Sequence, residues 1–179
     1  MGYIKPIETH YNGYRFRSRL EARWAVFLDS IGFDYDYEPE GFKLGNGLFY
    51  LPDFYISTNN SWVEIKGREI TDKDLEKMLA FCAEKCDVCK GGTKFRILQG
   101  RVPKAPAVDG VLIGIECYNY VSADEYNGCY KEEGEKDISE GVFVKGVWSP
   151  ACSERDLIIG LNAARKARFE FGESGYYGR

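Results

Sequence analysis

Two strand-like apolar runs, Leu48 to Ile56 and Trp62 to Lys66, flank the polar stretch Ser57-Thr58-Asn59-Asn60-Ser61. Short polar residues of this kind favour a tight chain reversal, so the segment reads as a β-hairpin. A reversal on residues 57–60 places Asp53 opposite Glu64. Strand side chains alternate between faces, so Glu64 and Lys66 share one face while Val63 and Ile65 turn into the core. Directly opposed residues have Cβ atoms about 4.5–5.5 Å apart, close enough for two carboxylates to share a divalent ion. Without a cation or a proton the two would repel.

The rest of the chain supplies elements to cover that hairpin. Leu20, Trp24, Phe27, Leu28 and Ile31 recur at helical spacing; Ser18 is a capping residue with Glu21 three positions on, and Gly32 is a stop. Residues 1–17 read as an arm or a first short strand. Phe33 to Glu38 alternates aromatic and acidic residues as a strand does, and Pro39 to Gly47 is turn-rich. Thr71 can cap a helix to about Lys85 with Leu75, Met78, Leu79 and Cys82 on one face. Lys94 to Leu98 and Val111 to Ile115 read as buried strands. A last helix is predicted from about Ser153 to Phe169, with Leu157, Leu161, Ala164 and Phe169 inward. The expected fold is α/β (α+β), a mixed central sheet flanked by helices. Its core comprises 1–115 plus 141–179, with 116–140 as an acidic insertion or loop.

Asp53, Glu64 and Lys66 suit metal-assisted phosphodiester hydrolysis. The ion lowers the pKa of a water, and Lys66 orients that water or offsets developing charge. Beside a cation the lysine pKa should fall, which suits a general base. Pro52-Asp53 followed by Glu64-Ile65-Lys66 resembles the PD-(D/E)XK nuclease superfamily. The string from Phe16 through Glu38 to Gly67 is most similar to phage Holliday-junction resolvases of the endonuclease I type. The end-cleaving nuclease of Tn7-like transposons is a more distant likeness. The resemblance covers about residues 14–70. It implies a restriction-endonuclease-like core, magnesium or manganese as cofactor, and DNA, branched or otherwise structured, as substrate. It also implies that Asp53, Glu64 and Glu21 hold the metal, that all three act with Lys66 in catalysis, and that the chain pairs as a homodimer.

Other residues have two readings. Glu21 is a metal-side acid or a capping-box glutamate, and the two roles need different side-chain directions. Arg15, Arg17, Arg19 and Arg23, with Arg68, form a phosphate clamp or a solvated surface. Cys82, Cys86 and Cys89 have spacings that fit zinc, with Cys117, Cys129 or Cys152 as a fourth ligand. Against zinc, Cys82 lies on the apolar face of a helix, where cysteine packs as a small hydrophobe. Gln99 reads as a strand-end residue facing solvent, while the resemblance offers it as a polar residue near the site, where some relatives place one.

Composition narrows the function. The single histidine, His10, argues against mechanisms built on packed imidazoles. A net charge of −4 argues mildly against nucleic acid, yet the charge is uneven. Residues 116–140 hold eight acids against Lys131 and Lys136, whereas Val88 to Val108 holds five basic residues and no acid. DNA binding would therefore be local and salt-sensitive, with the acidic segment directed away from the duplex. That acidic segment also suits a protein partner, which supports an alternative: a non-catalytic or regulatory phage protein using the same fold to bind DNA or a host protein. No export signal or spanning segment is visible, so the expected setting is the cytoplasm (the host's, if the chain is phage-encoded), with no membrane partner.

Overall fold

The structure, a computed structural model, describes residues 6–45, 47–86, 93–104, 107–108, 111–112, 116–122, 141–145 and 152–169. The chain opens with a hairpin rather than a loose arm: β1 (Thr9–Tyr11) pairs antiparallel with β2 (Tyr14–Phe16). Asn12 and Gly13 both have positive φ, 47° and 83°, the conformation that an Asn-Gly hairpin turn requires.

Helix α1 (Arg19–Ser30) begins at Ser18, whose Oγ accepts from the Glu21 amide at 3.2 Å. It stops through local bonds that leave Gly32 at φ 72°. The Gly32 amide donates to Asp29 O at 3.2 Å and the Phe33 amide to Leu28 O at 3.0 Å, a Schellman stop. Next come β3 (Tyr35–Tyr37), β4 (Phe42–Lys43), β5 (Phe49–Tyr50) and β6 (Phe54–Ile56). The run from Leu48 to Ile56 is therefore not one strand. Pro52 offers no N–H to a ladder, and the chain leaves the β4–β5 ribbon there to enter the central sheet.

A short 3-10 turn, Ser57–Asn59, leads into β7 (Ser61–Lys66), with Asn60 at φ 51° completing the reversal. The pairing is Phe54 with Val63, Tyr55 with Trp62 and Ile56 with Ser61, which is the expected hairpin register. Helix α2 (Asp72–Lys85) carries a full capping box between Thr71 and Asp74. It crosses over to β8 (Lys94–Gln99), which lies parallel to β7. Two short strands, β9 (Ala107–Val108) and β10 (Val111–Leu112), form a separate two-stranded sheet. The buried strand expected over Val111 to Ile115 is thus limited, among the described residues, to this small ribbon.

The expected acidic insertion contributes to the core sheet. Its first seven residues are β11 (Glu116–Ser122), antiparallel to β8 and to β12 (Gly141–Lys145). Residues 123–140, which carry most of its acids, lie outside the described residues. Helix α3 (Glu154–Lys166) follows a second capping box, Ser153 with Asp156, and Leu157, Leu161 and Ala164 are buried as the periodicity predicts; the helix stops short of the expected end at Phe169, which is buried beyond it. The central sheet has the order β12-β11-β8-β7-β6-β3. It is mixed and flanked by helices, an α+β fold.

Two apolar clusters cover the sheet. On one face, α1 and α3 bury Phe16, Trp24, Phe27, Phe54, Val63 and Leu98. On the other, α2 and the β4–β5 ribbon bury Tyr50, Met78, Phe81, Phe95, Ile97 and Tyr120, with Trp62 packed against them. Among the described residues no helix is long and apolar enough to cross a membrane.

Candidate functional site

Strand alternation puts Trp62, Glu64 and Lys66 on the α2 face of β7, and Val63 and Ile65 on the other. Asp53 immediately precedes Phe54, the last paired residue of β6, and so stands beside Glu64. These are not exposed rungs of a salt-bridge ladder. Glu64 is 4% exposed and Asp53 8%.

Each carboxylate has distinct partners. Asp53 Oδ2 accepts from the Ile65 amide at 2.7 Å, and no hydrogen bond from the described residues reaches Oδ1. Glu64 Oε2 accepts from the Tyr50 hydroxyl at 2.8 Å, and Oε1 is 2.5 Å from Lys66 Nζ. Burial, then the charges of Glu64 and Glu21, hold the Asp53 carboxyl well above the usual range. Burial raises Glu64 too, with Lys66 and Tyr50 opposing. Burial pulls the Lys66 ammonium down, but Glu64, Asp53 and Asp74 outweigh it and hold the lysine above its ordinary value. The fall expected beside a cation is therefore not the direction set by these carboxylates.

Glu21 is turned into the start of α1. Its Oε1 accepts from Ser18 Oγ at 2.6 Å, and its Oε2 from the Tyr37 hydroxyl at 2.6 Å and the Arg17 amide at 3.1 Å. Ser18 caps the Glu21 amide, but the Glu21 carboxylate takes the Arg17 amide rather than the Ser18 amide that a full capping box would use. Its charge is nevertheless felt by both Asp53 and Glu64. Among the described residues no group of three or more His, Cys, Asp or Glu side chains is gathered closely enough to hold a metal ion.

The residues still fit a divalent cation held by Asp53 and Glu64. Asp53 and Glu64 stand together beside one ammonium, that of Lys66, and the Glu64 charge is among the causes that raise Asp53. Asp53 Oδ1 and the raised Asp53 carboxyl mark where a cation would relieve that repulsion.

The basic residues are mostly engaged. Arg15 pairs with Glu8 at 2.6 Å, Arg17 Nε with Glu38 Oε1 at 2.7 Å, and Arg68 spans both oxygens of Asp74 at 2.7 and 3.1 Å. Arg19 and Arg23 are half-buried on α1. Arg96, counted above as part of a basic stretch, is buried and donates to Asn119 Oδ1 at 2.7 Å. It belongs to the interior, unlike the exposed Lys94, Arg101 and Lys104.

Among the cysteines, Cys82 is buried beside Met78 and Phe81, and burial pushes its thiol up. Cys86 lies next to it, while Cys152 packs with the α1–α3 cluster on the opposite face of the sheet. That separation removes Cys152 as a ligand shared with Cys82. Cys89 and Cys129 lie outside the described residues, as does the side chain of Cys117.

Three site residues escape a reading of the sequence. Tyr50 reaches Glu64 because Phe81 holds its ring, at 5.2 Å between centroids. Tyr37 bonds Glu21, and Asp74 lies 3.6 Å from Lys66 Nζ. Tyr50 and Tyr37 have no local signal, since each is brought in by an element distant in the chain, and Asp74 has one only as the acid of the Thr71 capping box. Gln99 also moves inward from its expected solvent position: it is half-buried and pairs with Lys66 across the parallel β7–β8 ladder.

No protein family, curated protein or solved structure matches the chain. The reading of this site rests on its own geometry.

Proposed function

We propose that the chain is a metal-dependent endonuclease that hydrolyses phosphodiester bonds in DNA, with branched or structured duplexes as its substrate class. The observation that carries this reading is the buried Asp53–Glu64 pair with the Lys66 ammonium on the same strand face. Burying two like charges is costly and gives nothing to packing, so their retention points to a ligand. Magnesium or manganese is the cofactor that oxygen donors of this kind favour. When bound, it would lower the pKa of a water and offset charge on the phosphate.

The remaining work falls to the protein. Asp53 and Glu64 anchor the cation, and Tyr50 fixes the direction of the Glu64 carboxylate through Oε2. Burial, followed by the Glu64 charge and hydrogen bond, raises the Tyr50 phenol and keeps it protonated as the donor. Lys66 places a positive charge beside the reacting phosphate. Arg15 holds Glu8 with both side chains exposed, where an ion pair contributes only about 0–1 kcal/mol, so a phosphate can take the place of Glu8.

Incubation with supercoiled, linear and four-way-junction DNA in magnesium or manganese tests the reading. Cleavage by the wild type and its loss in Asp53→Ala and Lys66→Ala is the expected result. No cleavage of any substrate, or equal cleavage by both variants, would overturn it.

A further inference from the structure

The start of α2 offers Lys66 a second carboxylate, and its use rests on the reading of Asp53 and Glu64 as a cation site. Lys66 Nζ is 2.5 Å from Glu64 Oε1 and 3.6 Å from Asp74 Oδ1. Both Glu64 oxygens are engaged, Oε1 by Lys66 and Oε2 by Tyr50. Each oxygen keeps a further lone pair, but a divalent cation bound to Glu64 would stand beside the ammonium and repel it. The Lys66 side chain is only 19% exposed, so displacement with no second partner would leave a largely desolvated charge.

Asp74 is built to be that partner. Its Oδ2 accepts from the Thr71 amide at 3.0 Å and the Thr71 hydroxyl at 2.6 Å, which lock the carboxylate at the helix start. Arg68 forks across both oxygens and balances the Asp74 charge when Lys66 is elsewhere. Oδ1 accepts only from Arg68 among the described residues, which leaves a lone pair for Lys66. Asp74 is therefore fixed in place while the long lysine chain is the part that can move.

We infer that Asp74 is a positioning residue that receives the Lys66 ammonium when a divalent cation occupies Glu64. The lysine then stays beside the reaction site and no longer crowds the cation at Glu64. Lys66 opposes the cation in the resting protein and assists the chemistry after a short shift, and Asp74 makes that shift favourable.

Manganese affinity of the full chain without DNA, read by calorimetry and by the electron paramagnetic resonance signal of free manganese, tests this. Asp74→Asn is expected to weaken manganese binding about tenfold, the scale of losses on removing a group that orients a metal ligand. Lys66→Met should bind at least as tightly as wild type, because the charge that repels the cation at Glu64 is gone. Adding Asp74→Asn to Lys66→Met should then change affinity by less than about twofold, since Arg68 already balances Asp74. An equal loss from Asp74→Asn with and without Lys66, or no loss at all, overturns this inference and leaves the cation site standing. Failure of the wild type to bind manganese overturns the cation site itself, and this inference with it.

Discussion

The two faces of β7 carry consecutive residues of one strand and differ at its C-terminal end. Val63 and Ile65 enter the α1–α3 cluster, where they add only apolar burial. On the α2 face Trp62 is packed among aromatic rings, but Glu64 and Lys66 further along the strand are charged. Polarity on that face is thus confined to the C-terminal end of the β7–β8 parallel pair, beside the N-terminus of α2. Carboxyl ends of parallel strands are where open sheets hold ligands. Both faces bury apolar side chains, but only the α2 face gives way, at this one end, to two carboxyls that repel each other.

Substitutions on the two faces should therefore separate activity from stability. The largest effect is expected at the polar end. Asp53→Ala should lower the proposed cleavage rate by roughly a hundred- to a thousandfold without lowering the melting temperature, measured on the same preparations. A fall in both together would erase the distinction between faces.

On the opposite face, Phe27→Ala removes a fully buried ring from the α1–α3 contact. It should cost about 3–5 kcal/mol in urea unfolding. Gly160→Ala should cost about 1–3 kcal/mol, because a Cβ there would stand 2.7 Å from Ile31 and 2.8 Å from the Phe27 ring. Any cleavage activity should survive both changes below their melting temperatures.

The smallest effect has the opposite sign. The Asp53 carboxyl is held above its ordinary value in the fold, so its ionisation favours the unfolded chain. That cost is absent below the ordinary carboxylate range and grows as pH rises toward the raised value. Asp53→Asn should stabilise the protein by on the order of 1 kcal/mol at pH 7–8, with the gain shrinking toward about pH 4. Magnesium should reduce the difference by stabilising the wild type. Denaturation curves across pH check both signs, and a destabilised Asp53→Asn would mean that its carboxylate is already compensated.

Much of the fold was legible where local chemistry decides structure. Ser18, Thr71 and Ser153 start helices as capping residues do, and Gly32 ends one. The Asn12-Gly13 hairpin turn was missed, since the segment was expected to be an arm or a first short strand. Strand β11 was not legible. Its tyrosines at 118 and 120 alternate over too few residues to stand out beside the acids that follow, and only contact with β8 and β12 makes it a strand.

The sequence by itself determined the Asp53–Glu64–Lys66 arrangement, because a four-residue reversal fixes hairpin register and the two-residue period fixes faces. Only the tertiary structure decided how that arrangement is used. It turned the Glu21 carboxylate onto Ser18 and Tyr37, brought Tyr50 to Glu64 by packing on Phe81, and set Gln99 beside Lys66 through a crossover. It also placed Asp74 within reach of Lys66. These contacts join elements whose spacing depends on how helices and ribbons fill the two faces of the sheet, and no local pattern encodes that distance.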